Sequence, residues 1–158
     1  MKADHINPFV KASVRVLNQF DPELSIEREQ PRKVDSPYKT LGVTCYLGLT
    51  GALEGQIIYD MEIETARKVA GTMNGQDSLE INDLARSAIQ ELSNMISGNA
   101  VTTLKNETID GSLDITPPSL IVGNGSTISD YQNKPFVQVP LRSNLGTFLV
   151  NLSISESQ

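Results

Sequence analysis

The sequence predicts an α+β fold in which an antiparallel β-sheet is packed with helices, one of them long and central. Three observations carry that prediction. Residues 77–105 place apolar side chains at helical spacing. Two pairs of β-rich runs, 41–49 with 52–61 and 135–142 with 147–154, are each joined by a short turn. The order helix, strands, two helices, strands fits helices covering one antiparallel sheet. At 158 residues the chain is expected to form a single domain, residues 1–158.

The first helix opens with Asn7 as cap and Pro8 at the first helical position, puts Val10, Val14 and Leu17 on one face, and ends at Asp21-Pro22. Residues 24–29 fit a short strand, and 30–39, polar and punctuated by proline, an exposed loop. Thr50-Gly51 turns the first hairpin, in which Gly42, Gly48 and Gly55 point to bulges or to close backbone approach. A second helix over 62–73 turns Ala66, Val69, Ala70 and Met73 inward and stops at Asn74-Gly75.

The long helix follows directly. Asp77 caps it and Glu80 completes a capping box, after which Ile81, Leu84, Ala85, Ala88, Ile89, Leu92, Met95 and Ile96 form the core stripe. Short strands over 113–116 and 120–122 flank Pro117-Pro118, and 123–126 is a loop. The last hairpin alternates Val137, Val139 and Leu141 with Phe148, Val150 and Leu152. Pro140 cannot donate to a ladder, so its strand is expected to be an edge there, or bulged.

Hydrophobic content of 39% with 20% charged residues is that of a globular chain. A net charge of −6 without a basic cluster argues against nucleic acid or an anionic membrane as partner. Cys45 and His5 are each the only residue of their kind, so zinc sites, Ser-His-Asp triads and Cys-His pairs find no support, and Cys45 reads as a small core residue. No apolar run is long enough to span a membrane, and the opening residues lack the apolar core of a signal peptide, so a cytoplasmic protein is expected.

At about 100° per residue, Ser87, Glu91, Asn94 and Gly98 fall on a second strip of the long helix, beside the apolar one. Its outer members, Ser87 and Gly98, are small enough to let another surface approach the backbone. Glu91 has no Lys or Arg three or four residues away to pair with. Taken alone, a Glu-x-x-Asn pair on a helix is most often solvated surface.

Its wider context changes that weight. Ser87-x3-Glu91-x2-Asn94, twenty-two further residues and then Pro117 match the signature of the CheC/CheX/FliY family of response-regulator phosphatases at all four fixed positions. The surroundings LTGALEGQIIY, ETARKVA, ELSNMISGNA and DITPPS also resemble CheX, in the same order along the chain. The resemblance implies a phosphatase acting on the aspartyl phosphate of a CheY-like receiver domain. Asn94 takes the position of the carboxamide that orients the attacking water, and Glu91 that of the carboxylate that pairs with the receiver's lysine. Ser87 and Gly98 become partner-binding positions, Pro117 shapes the adjoining turn, and the Mg²⁺ required sits on the receiver.

CheC-type relatives carry a second motif on the first helix. Here the register from Ser13 gives Leu17 and Phe20 at the Glu and Asn positions, a core pattern, so a single site of CheX type is expected. The resemblance further implies a homodimer joined through sheet edges, with the Pro140 strand or its neighbour a candidate edge. The alternative is a non-catalytic module, either a relative of the flagellar switch proteins FliY and FliM or a receiver-binding subunit.

Overall fold

A computed structural model of the chain describes residues 1–129 and 132–157. Its elements are α1 (Ala3–Phe20), β1 (Ile26–Arg28), β2 (Arg32–Val34), β3 (Tyr38–Lys39), β4 (Val43–Gly51), β5 (Leu53–Met61), α2 (Ile63–Met73), α3 (Asp83–Glu107), β6 (Leu113–Ile115), β7 (Ser119–Val122), β8 (Thr127–Ile128), β9 (Phe136–Ser143) and β10 (Gly146–Glu156). The described residues form an antiparallel sheet in the order β1-β9-β10-β5-β4-β6, in which β2 also pairs with β9 and β7 with β4. The helices cover one face: α3 packs on β4, β6 and β7 with α1 and α2 beside it, and α1 and α2 also reach β10. Phe9, Tyr59, Ile89, Leu92, Ile96, Val139 and Leu152 are among the buried side chains between helices and sheet. The predicted α+β architecture, with its long helix and two hairpins, is the one found.

The helix starts differ from expectation, and tertiary contacts explain both cases. α1 begins at Ala3, with Pro8 inside it. Burial of His5 and Ile6 extends the apolar face beyond Asn7, and a proline so near the N-terminus removes only one early hydrogen bond. α3 begins at Asp83, with Asn82 as N-cap accepting from the Ala85 amide at 3.1 Å. Residues 77–82 are strapped across α2: the Leu79 amide donates to the Arg67 carbonyl, and Arg67 pairs with Glu80 at 3.1 Å. Gly71 leaves room for this strap, since a Cβ there would lie 2.5 Å from the Ser78 Cα. Asp77 and Glu80 therefore form no capping box.

The core stripe of α3 is also rotated from the predicted one. Ser93 and Ser97 are buried in it, whereas Leu84 is exposed and Ile81 reaches the core from before the helix. Both serines satisfy their hydroxyls, Ser93 by donating to the Ile89 carbonyl (2.9 Å) and Ser97 by a 2.7 Å bond with the buried Tyr59 hydroxyl.

Residues 30–39 are not simply a loop, because they supply β2, paired with β9, and β3, paired with β8. The β9 strand is interior, which corrects the expectation that Pro140 marks an edge. β1 pairs with residues 141–143 and β2 with residues 136–138, so Pro140 faces the gap between them. Its carbonyl points into that gap and accepts from Glu29 N at 2.9 Å, so the missing N–H interrupts no ladder. The edges are β1 and β2 on one side and β6 and β7 on the other. Close backbone approach accounts for Gly55, where a Cβ would collide with the Ser153 carbonyl across the β5–β10 pair.

The opposite face of the sheet carries a smaller cluster of Tyr38, Ile58, Ile128 and Phe136, with the wholly buried Asp60 beside it. One carboxylate oxygen of Asp60 accepts from the Thr44 hydroxyl (2.6 Å) and Met61 N (3.0 Å), the other from the Tyr38 hydroxyl (2.7 Å) and Leu41 N (2.8 Å). Burial pushes the Asp60 carboxyl above the ordinary range, against the pull of these bonds. Each oxygen faces one backbone N–H, and a backbone donor cannot turn round. Asp60→Asn would set its amide against one of them, so we expect a loss of about 1–3 kcal/mol in urea unfolding. An unchanged midpoint would refute the dependence.

Candidate functional site

α3 brings the predicted residues to its outer surface. Ser87, Glu91 and Asn94 are exposed and Gly98 is half-buried, while Ile89, Leu92, Ser93, Ile96 and Ser97 face the core. Among the described residues, neither Glu91 nor Asn94 has a hydrogen-bond or ion-pair partner. The contrast within the helix is direct, since Asn99 ties its amide to the Met95 carbonyl at 2.8 Å and Asn82 is spent on the cap. Asn94 thus presents a carboxamide that no internal bond occupies, and Glu91 a carboxylate with no cation of its own.

The wall beside them comes from the sheet edge. β6 pairs with residues 49–51 of β4 and β7 with residues 43–46, and the ladder breaks between them at Thr116, Pro117 and Pro118. Two consecutive prolines have no N–H to give. Thr116 closes the break from its own side: its amide donates to the Gly48 carbonyl (2.9 Å) and its hydroxyl accepts from Gly48 N (2.8 Å). The proline pair lifts toward α3, where the Gln90 side chain donates to the Pro118 carbonyl at 3.2 Å.

The result is an open groove of ≈ 480 Å³ lined by Ser87, Gln90, Glu91 and Asn94 from the helix and Ile115, Thr116, Pro117 and Pro118 from the edge. Four of the five predicted residues meet in it. Gly98 lies in an adjoining depression of ≈ 310 Å³ that shares Asn94 and is bordered by Arg15 of α1. Sequence reasoning missed Gln90, Thr116 and Arg15. Only the three-dimensional bond to Pro118, the bond to Gly48 and the packing of α1 against α3 distinguish them.

The remaining reactive side chains lie elsewhere. Cys45 is buried, and burial pushes its thiol up to about 11. His5 is buried in α1, with its pKa lowered by that burial. Ser13 and Leu17 of α1 are buried, and Phe20 packs against the core, so the register of a second motif is occupied by packing. Among the described residues no three His, Cys, Asp or Glu side chains converge to hold a metal ion. None of the described helices is long and apolar enough to cross a membrane.

This arrangement of sheet, three helices and exposed strip is the CheC/CheX fold. Its solved counterparts include the chemotaxis protein CheX of Desulfovibrio desulfuricans, with TM-score 0.83 and 29% identity over 96% of this chain and 99% of that one. Another is CheX of Borrelia burgdorferi, solved as a CheX-CheY-BeF3-Mg²⁺ complex, with TM-score 0.75 and 30% identity over 98% of this chain and 100% of that one. The family described as Chemotaxis phosphatase CheX matches residues 43–142, and the chain belongs to that family. A curated relative, the CheY-P phosphatase CheX of Thermotoga maritima, is 38% identical over 86 residues; the match spans 54% of this chain and about half of that protein, 54%.

Gly98 invites a test of the helix by itself. A Cβ there would meet nothing within 4 Å, and glycine weakens a helix interior. Gly98→Ala should therefore stabilise the fold by about 0.5–1 kcal/mol in chemical denaturation. A destabilised variant would mean that the helix itself needs glycine at this position.

Proposed function

We propose that this chain hydrolyses the aspartyl phosphate of a CheY-like receiver domain, with Asn94 orienting the attacking water and Glu91 docking the receiver's lysine. The observation that carries the reading is the pairing, on one open helical surface, of a carboxamide and a carboxylate that the fold leaves unbonded. The relatives point the same way: one bears the name CheY-P phosphatase and another was solved in a complex with CheY.

The chemistry suits a site without a nucleophile of its own. An aspartyl phosphate is an acyl phosphate, whose P–O bond to the carboxylate breaks readily through a loose transition state. Water forms the new P–O bond, the aspartate leaves as a stable carboxylate, and the water's proton passes to the phosphate or solvent. What the protein adds is position: an amide oxygen that accepts from water holds it in line with phosphorus, exchanging translational freedom lost on docking for rate. Pro117 and Pro118 form the rigid rim of the groove, and Ser87 and Gly98 let the partner approach the helix. The Mg²⁺ used in this chemistry is assigned to the receiver.

The reading also takes the working form to be a homodimer joined at a sheet edge, for which β1 with β2, or β6 with β7, offers the free strand. Sedimentation velocity at micromolar concentration should show the dimer.

Phosphate release from receivers phosphorylated by a small-molecule donor tests the activity directly. Acceleration is expected for the wild-type chain and a loss of about 100-fold or more for Asn94→Ala. Glu91→Ala should raise KM more than it lowers kcat, because its role lies in docking. Retained activity in Asn94→Ala would sink the mechanism. A stable, phosphorylation-dependent complex without turnover would replace it with the binding module.

A further inference from the structure

The helical spacing puts Leu84 in the core stripe of α3, but it is 52% exposed, more than Met1 and Ile63, the other exposed large hydrophobics among the described residues. A single exposed leucine needs no explanation by itself. The position of this one does. It lies seven residues before Glu91 and fourteen before Gly98, so the three fall within about 40° of one another around the helix, opposite the buried face. With Ser87 and Asn94 they make one seam at spacings of three and four, spanning about 21 Å along the axis. Leu84 is the only apolar side chain in that seam.

A partner lying along α3 needs such a residue. A specific interface buries roughly 800 Å² on each side, and a few apolar or aromatic anchors supply most of its energy. Ser87, Glu91, Asn94 and Gly98 provide small and polar contacts that confer register, with little apolar area to remove from water. The backbone fixes Leu84 on this surface: Asn82 caps the helix two residues earlier, and the strap from Leu79 to Arg67 sets where the helix begins.

We propose that Leu84 is the apolar docking contact for the receiver domain, about 10 Å along the helix from Glu91, and that it meets an apolar patch beside the receiver's phosphorylation site. This rests on the function proposed above. The seam would then read from Leu84 through Glu91 and Asn94 to Gly98 as anchor, register, chemistry and clearance. Leu84 acts on affinity and does not touch the reacting atoms.

The test is steady-state dephosphorylation of the cognate phosphorylated receiver by wild type, Leu84→Ala, Leu84→Asp and Leu84→Met, with urea unfolding of each. We expect KM to rise about fivefold to tenfold in Leu84→Ala and further in Leu84→Asp, with kcat within about twofold of wild type. Leu84→Met should restore most of the affinity, and no variant should unfold at lower urea than wild type. KM within twofold of wild type in Leu84→Asp, with the wild type active, overturns the assignment and leaves the phosphatase reading standing. So does a lowered unfolding midpoint, or a dimer that dissociates in Leu84→Asp without change in KM, since these give Leu84 to the fold or to a second copy of the chain. A wild type that accelerates no receiver overturns the function and this contact together.

Discussion

The rotational register of α3 is the constraint on which the rest of this structure depends. A helix can bury one face, and here that face is set by Ile89, Leu92, Ile96, Ala100 and Leu104 against the sheet. A polar contact sharpens it. The Tyr59 hydroxyl meets Ser97 inside the core, where either group left alone would cost roughly 1–3 kcal/mol. Turning α3 by one residue would break that bond and carry Ser93 and Ser97 out of their places. Glu91 and Asn94 are exposed because of what lies opposite them, and their orientation is inherited from the core.

The second constraint acts from the sheet edge. A continuous edge strand on β4 would run past α3 with its hydrogen bonds complete and offer nothing to the helix. Pro117 and Pro118 prevent that, Thr116 repairs the ladder on the side of β4, and Gln90 fastens the displaced chain to α3. The groove is thus made from a local failure of strand pairing, held by one side-chain bond on each flank. Rigid walls of this kind would suit the proposed reaction, whose catalysis consists largely of placement.

Much of this was legible in the sequence, and the exceptions share a cause. Long periodic segments and the two hairpins could be read because burial imposes a period on them, and Ser87, Glu91, Asn94 and Pro117 could be read as a spaced pattern. The start of α3 could not. Asp77 with Glu80 and Asn82 with Ala85 are both adequate caps, and contacts between 77–82 and α2 decide between them. Strands as short as β3 and β8 carry no period at all, and exist because Tyr38 and Ile128 pair across the chain. The α3 stripe was misjudged where serines entered the core and a leucine left it, since polarity alone says nothing of whether a hydroxyl finds a local acceptor. Pro140 reads in the sequence as a sign of an edge or a bulge, whereas a gap between two short neighbouring strands satisfies the same requirement in the sheet interior.

The exposed pair on α3 costs the folded protein little, and that gives it value for selection. Glu91 is hydrated in the free chain, so no buried charge has to be compensated. On docking it would lose that water, and only a partner that places a cation opposite it could repay the desolvation. The same holds for the Asn94 amide, which would be stranded against any surface lacking polar groups to match it. Under the proposed function, a receiver that met both requirements would be accepted, and one that met neither would be rejected by several kilocalories without a steric clash. Discrimination of this sort needs groups that the fold leaves unbonded, held on a backbone that cannot adjust to a poor partner. The core face of α3 supplies the second condition, and the absence of internal partners for Glu91 and Asn94 among the described residues supplies the first.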